Sequence, residues 1–243
     1  MKKLLYFAAI GLCATTATAD ESAWSVDDFT ATYSAKVGLA KGETRLELRR
    51  IDQQSFVVES WTKLRGLVSL FKRGEIHEVA HFDFIDGQIL TRDFERSDDI
   101  SGEDRNVRVT YDWDAGTASI NYQNDTSSVN IEPGVSNTLV MQVALMQHLN
   151  SKQTPAWLDV VGHKGRLRFD IRYEGEESIA ISDRPTALYR YSHSRENSGI
   201  RTTFWAAPER DHLPLKAEII KDEKVKGRLT LVSRDLPIAR SAD

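Results

Sequence analysis

The stretch that most limits what this chain can become is Ser136–Asn150, SNTLVMQVALMQHLN. Leu139, Val140, Met141, Val143, Ala144, Leu145, Met146 and Leu149 are apolar, and only Gln142, Gln147 and His148 interrupt them. At about 100° per residue these positions run right round a helix, and a helix apolar on all sides is buried on all sides. Spanning a bilayer takes about 20 apolar residues, more than this segment offers. It therefore belongs inside a protein. Its large side chains contribute on the order of 10–20 kcal/mol gross when buried, before ordering costs. Pro133-Gly134 breaks the chain ahead of it, Ser136 or Asn137 supplies an N-cap, and Asn150-Ser151 followed by Pro155 ends it.

Nearly all the rest reads as strand. Residues 29–37 alternate strictly, with Phe29, Ala31, Tyr33, Ala35 and Val37 on one face. Residues 43–51 and 55–64 continue the habit, which is that of an antiparallel meander with one wet face. Residues 66–71, GLVSLF, are apolar without a clear period and read as a short helix or a tight crossing. Further strands are predicted near 75–85, 88–96, 105–113, 117–122 and 127–131. After the helix they are predicted near 157–161, 166–173, 178–182, 186–195, 200–206, 213–221 and 225–233. Asp86-Gly87, Asp114-Ala115-Gly116 and Asn124-Asp125 mark turns, and the acidic run 97–104 marks a mobile loop. The order is strands, one helix, strands. The expected fold is mainly β: a single antiparallel curled sheet, a barrel or half-barrel, wrapped around one central α-helix. A flat two-sheet sandwich would give an all-round apolar helix no place to go.

The first residues read as an export leader. Lys2 and Lys3 precede the apolar run 4–12, and Ala17-Thr18-Ala19 is a small-residue cleavage pattern. The expectation is a cleaved signal peptide, 1–19, and one β-rich periplasmic domain, 20–243. Cys13 lies inside the apolar run behind Leu12, which argues against lipidation. It is the one cysteine of the chain, so the mature protein would have no disulfide and would depend on its core. The net charge is −4, and loss of Lys2 and Lys3 makes the mature chain more acidic. No basic cluster remains that would suit nucleic acid or anionic lipid.

The opening FTATYSAKVGLAKGETRLEL (29–48) resembles an exported bacterial family known as domain of unknown function 3108. The likeness continues through Tyr111-Asp112-Trp113 and Gly116, the helix NTLVMQVALMQHL, Phe204-Trp205-Ala206 and Leu213-Pro214-Leu215-Lys216. It implies a β-rich periplasmic protein with one helix, and it brings no activity, cofactor or catalytic residue.

One motif carries a reaction in other settings. His77-Glu78-Val79-Ala80-His81 is a literal H-E-x-x-H, the zinc-protease pattern in which two histidines bind metal and the glutamate is the base. That chemistry needs a helix and a third ligand. Here Gly74 precedes the motif and Phe82-Asp83-Phe84-Ile85 reads on as strand. On a strand the histidines would stand ~13 Å apart. Metal at His77 and His81 with Glu78 as base is therefore the alternative reading, with Glu95 and Glu103 as third ligands only if the stretch is helical. His148 falls at a polar position of the helix, and His163, His193 and His212, in or beside turns, are expected at the surface. Ser192-His193-Ser194 lacks the glycines of a nucleophile elbow. Trp61, Trp113, Trp157 and Trp205, with Tyr189 and Tyr191, are either core or the lining of a concave binding face. Of these, Trp61, Trp113, Trp205 and Tyr189 are the candidate ligand-binding residues. The expected role is non-catalytic: binding or carrying a lipid, a glycan or a protein client of the cell envelope, without cofactor. A scaffold in an envelope complex is a further alternative. An open apolar cleft beside the helix would favour a carrier, and a filled interior a scaffold.

Overall fold

A computed structural model describes residues 23–66, 74–100, 105–181 and 184–235. Residues 1–22 with the expected leader, most of the 66–71 stretch, residues 101–104 of the acidic run with Glu103, and the tail after Asp235 lie outside them. The described elements are β1 (Phe29–Val37), β2 (Ala40–Arg50), β3 (Ser55–Arg65), β4 (Glu75–Ile85), β5 (Gln88–Asp98), β6 (Val107–Asp112), β7 (Thr117–Tyr122) and β8 (Asp125–Asn130). Helix α1 (Thr138–Asn150) follows. Then come β9 (Trp157–Gly162), β10 (Gly165–Ile181), β11 (Arg184–Arg195), β12 (Ile200–Ala207), β13 (Leu213–Lys221) and β14 (Lys224–Asp235).

These strands form one 14-stranded sheet in the order β8-β7-β6-β5-β4-β3-β2-β1-β14-β13-β12-β11-β10-β9. Every pairing within it is antiparallel. The first and last strands pair in the middle, so the two edges, β8 and β9, flank the helix in sequence. The sheet is not closed. At the opening, the chain between β8 and α1 serves as a strap. Ser136 N–H donates to Asp159 O (3.0 Å) and Val161 N–H to Ser136 O (2.7 Å). The Tyr111 hydroxyl donates to the same Ser136 carbonyl at 2.8 Å. Tyr111→Phe is expected to cost about 1 kcal/mol in denaturant unfolding without changing strand content by circular dichroism.

The helix begins where capping chemistry dictates. Asn137 is fully buried, and its Oδ1 accepts from the N–H groups of Leu139 (2.8 Å) and Val140 (2.9 Å). All eight apolar positions read from the sequence are buried, and Gln147 is buried with them. Gln147 clamps the segment ahead of β1: its Oε1 accepts from Ser25 N–H and Oγ, and its Nε2 donates to Ala23 O. That segment carries Trp24 onto Phe56 (4.5 Å), Phe84 (5.2 Å) and Phe82 (5.6 Å), which fills one end of the curl. We call this end the floor. The turns after β1, β7, β9, β11 and β13 stand at the other end, the mouth.

Two sequence expectations change. The strands expected at 166–173 and 178–182 are one strand, β10, with a register shift at Gly175. Gly175 has φ +106, a conformation glycine reaches at no steric cost, so the chain kinks there instead of turning back. The helix is also not enclosed on every side, because Thr138 and Gln142 are exposed. The interior beside them is open.

Candidate functional site

The opening beside α1 is a cavity of about 400 Å³ between the helix and the inner face of the sheet. Its helical wall is Thr138, Met141, Gln142, Leu145, Met146 and Leu149. Alternation along the strands decides which side chains face it. Tyr33 continues the inward row of Phe29 and Ala31, and Ser60 and Thr62 continue that of Phe56 and Val58. From the C-terminal half come Phe169, His193, Phe204, His212, Ala217 and Ile219. Apolar side chains supply most of the wall's surface, with hydroxyls, Gln142, Glu78 and two histidines set among them. That is the usual composition of a small-molecule site.

Those polar groups are largely partnered within the wall. The Tyr33 hydroxyl donates to Pro214 O at 3.0 Å, and burial pushes its ionisation well above the ordinary tyrosine range. Thr44 and Thr62 hydroxyls lie 2.9 Å apart. Glu78 reaches the cavity and accepts from Arg96 Nη1 at 2.9 Å, while Arg96 Nη2 donates to Asp98 at 2.8 Å. Burial opposes the Arg96 charge, but the bonds from Asp98 and Glu78 outweigh it and hold its pKa above the ordinary value. His193 packs edge-on against Phe169 (5.3 Å) and tilted against Phe204 (6.2 Å). Burial there pushes its pKa down to about 4, so the ring is neutral at pH 7. His212 is held below its ordinary value by burial too, and its Nδ1 is buried without a partner. A ladder of rings, Tyr173–Tyr191–Phe204–His193–Phe169, runs along the inner face of β10–β12 at spacings of 5.1–6.2 Å. Tyr173 at its outer end is half exposed.

The residues singled out by sequence are placed differently. Trp61 alternates with Ser60 and Thr62, so it stands on the outer face, where it stacks on His77 (5.2 Å) beneath Arg45 (5.3 Å). Trp205 alternates with the inward Phe204 and is buried in a separate outer cluster with Leu188, Ala207 and Leu215. Its Nε1 donates to Glu177 at 2.9 Å. Trp113 donates to Thr91 O (2.8 Å) and packs against the main core. Tyr189 faces inward and touches His212 (5.8 Å) at the edge of the cavity. None of the four is among the residues that line it, and Tyr189 comes nearest. Size and aromaticity drew attention to tryptophan. His193 and His212, expected at the surface, line the cavity instead; the signal that would have found His193, Tyr33, Phe169 and Phe204 is strand parity.

H-E-x-x-H lies on β4, as strand. His77 and His81 share its outer face with Val79, and Glu78 points to the inner face. His81 Nδ1 is 2.7 Å from Asp93, and His77 Nε2 is 3.9 Å from Glu59. An extended backbone keeps the two rings too far apart to share an ion and puts the glutamate behind them, which removes the geometric basis for the zinc alternative. No group of three or more His, Cys, Asp or Glu poised to hold a metal occurs among the described residues.

The family model for DUF3108, proteins of unknown function, matches residues 28–231. The chain belongs to the DUF3108 family. No curated protein matches it in sequence. Among solved structures, the DUF3108 chain is similar to a β-barrel-like protein of another unknown domain, DUF1849, from Brucella abortus. That match has 10% identity and a TM-score of 0.57, and covers 88% of this chain and 99% of the other. It shows the fold alone. More distant likenesses are to MucB, 12% identical, with a TM-score of 0.35 over 88% of this chain and 54% of that one, and to the MucA/MucB complex of Pseudomonas aeruginosa, 12% identical, with a TM-score of 0.37 over 86% and 51%. No helix of the described residues is long and apolar enough to cross a membrane.

Proposed function

We propose that this protein is a non-catalytic carrier that works in the periplasm after loss of its leader and holds the apolar part of an amphipathic envelope component beside α1. One observation supports the reading above the rest: the interior is not filled. A scaffold of this size would close its core, because every void forfeits packing contacts on its lining. Here a cavity of about 400 Å³ is kept open along a helix whose other sides are tightly buried. The polar groups in the wall, Tyr33 and Glu78 among them, suit a cargo with a polar end. A lipid fits this description best. A glycan or the acylated end of a protein client shares part of the chemistry.

The test is a substitution that fills the space without touching the packed sides of the helix. Gln142 faces the cavity and is exposed. In Gln142→Trp, binding of the apolar fluorophore N-phenylnaphthylamine is expected to weaken about tenfold or more, a loss of about 1.4 kcal/mol, while the thermal midpoint stays within a few degrees. Equal affinity in both proteins, or no binding by the wild type, overturns the reading.

A further inference from the structure

The mouth carries an exposed apolar tip that the core does not explain. Leu39, in the turn after β1, is 96% exposed; Val37 beside it is 58% exposed, and Val225 at the start of β14 is 47% exposed. They form one patch. Val37 pairs with Gly227, and Gly38 N–H donates to Lys226 O at 3.2 Å, which ties the β1–β2 tip to the β13–β14 tip. Around the patch stand Lys36, Lys41, Lys221, Lys224 and Lys226, all exposed. No ion pair is formed by any of them among the described residues. The acids at these two tips are Asp222 and Glu223, so the rim is cationic on a chain of net charge −4.

The cross-strand register sharpens the point. Lys36 sits directly opposite Lys41, and Lys221 directly opposite Lys224. Like charges facing across an antiparallel pair destabilise it. Both hairpins carry this unfavourable arrangement at the same end, around side chains that are apolar and wet. A surface with fixed negative charge and an apolar layer beneath it relieves both penalties at once. We infer that these two hairpin tips dock the protein on a bilayer containing anionic phospholipid, with Leu39 and Val37 entering the acyl boundary and the lysines on the headgroups. Ile219, which lines the cavity, pairs with the same Gly227 that pairs with Val37. Docking would therefore bring the mouth against the membrane. This goes beyond the cargo reading: the rim can bind whether or not the cavity is filled.

Flotation of the full chain with vesicles tests it. Binding is expected to vesicles of phosphatidylethanolamine and phosphatidylglycerol, to fall in high salt, and to be weak on pure phosphatidylcholine. Leu39→Ser is expected to lower the partition about tenfold, and Lys224→Gln with Lys226→Gln about fivefold for each charge removed. All three positions are exposed, so the thermal midpoint should not move. Gln142→Trp should bind vesicles as the wild type does. If Gln142→Trp abolishes vesicle binding, lipid capture by the cavity explains the signal and the rim inference fails. Absence of wild-type binding, or binding indifferent to Leu39→Ser, also overturns it. Neither result touches the fluorophore assay, so the cavity reading stands or falls separately.

Discussion

Lowering the pH from 7 to 4 is expected to destabilise the fold by on the order of 2–3 kcal/mol through His193 alone. In the folded protein its pKa lies near 4, against an ordinary value of 6.5, because the ring is buried at the cavity wall. Between those two values the unfolded chain binds a proton that the folded chain does not. Stability contributed by the neutral ring is thus complete above about pH 6.5 and is lost as the pH falls towards 4. His148 and His212 are shifted the same way by burial and add to the trend. Urea unfolding of wild type and His193→Gln at both pH values measures the part due to His193. The variant should lose markedly less stability on acidification. Identical losses in the two proteins would mean that the ring is protonated without cost and is not buried as described. Partial solvent access at the cavity wall screens the protonated ring and keeps the loss below the full value of the shift.

The floor carries the largest single-residue effect. Phe56→Ala is expected to cost about 3–5 kcal/mol, or on the order of 10 °C in the thermal midpoint. Phe56 is fully buried, stacks on Phe82 at 5.2 Å with planes 11° apart, and receives Trp24 at 4.5 Å. Truncation removes the centre of that stack. The residues around it sit on β3, β4 and the segment pinned to α1 through Gln147, so they are poorly placed to collapse into the space. Phe84→Ala, at the edge of the same group and 8% exposed, should cost less. Equal effects at the two positions would show that the floor is not organised about Phe56.

Strict alternation in 29–37 placed β1 to the residue, and the all-round apolar pattern of 139–149 placed the helix inside. Both signals are local, since periodicity is written in neighbouring residues. Gly175 misled because a glycine between polar residues looks like a turn, and whether it turns or only bulges depends on whether β11 stays in register beyond it. Trp61 and Trp205 mislead for a related reason: size says that a side chain is buried, not on which face. In the zinc alternative Glu78 is a base beside two histidines, yet the strand turns it away from them and towards Arg96.

The chain by itself therefore determined the elements, their class and the burial of one helix, because each depends on spacing over a few residues. It did not contain the cavity, which exists only because the sheet curls further than the helix can fill. Nor did it show the lysine rim. No run of basic residues marks it, since Lys36 and Lys41 lie some 180 residues from Lys221, Lys224 and Lys226. They meet only because β1 pairs with β14, and that long-range pairing is a property of the folded sheet.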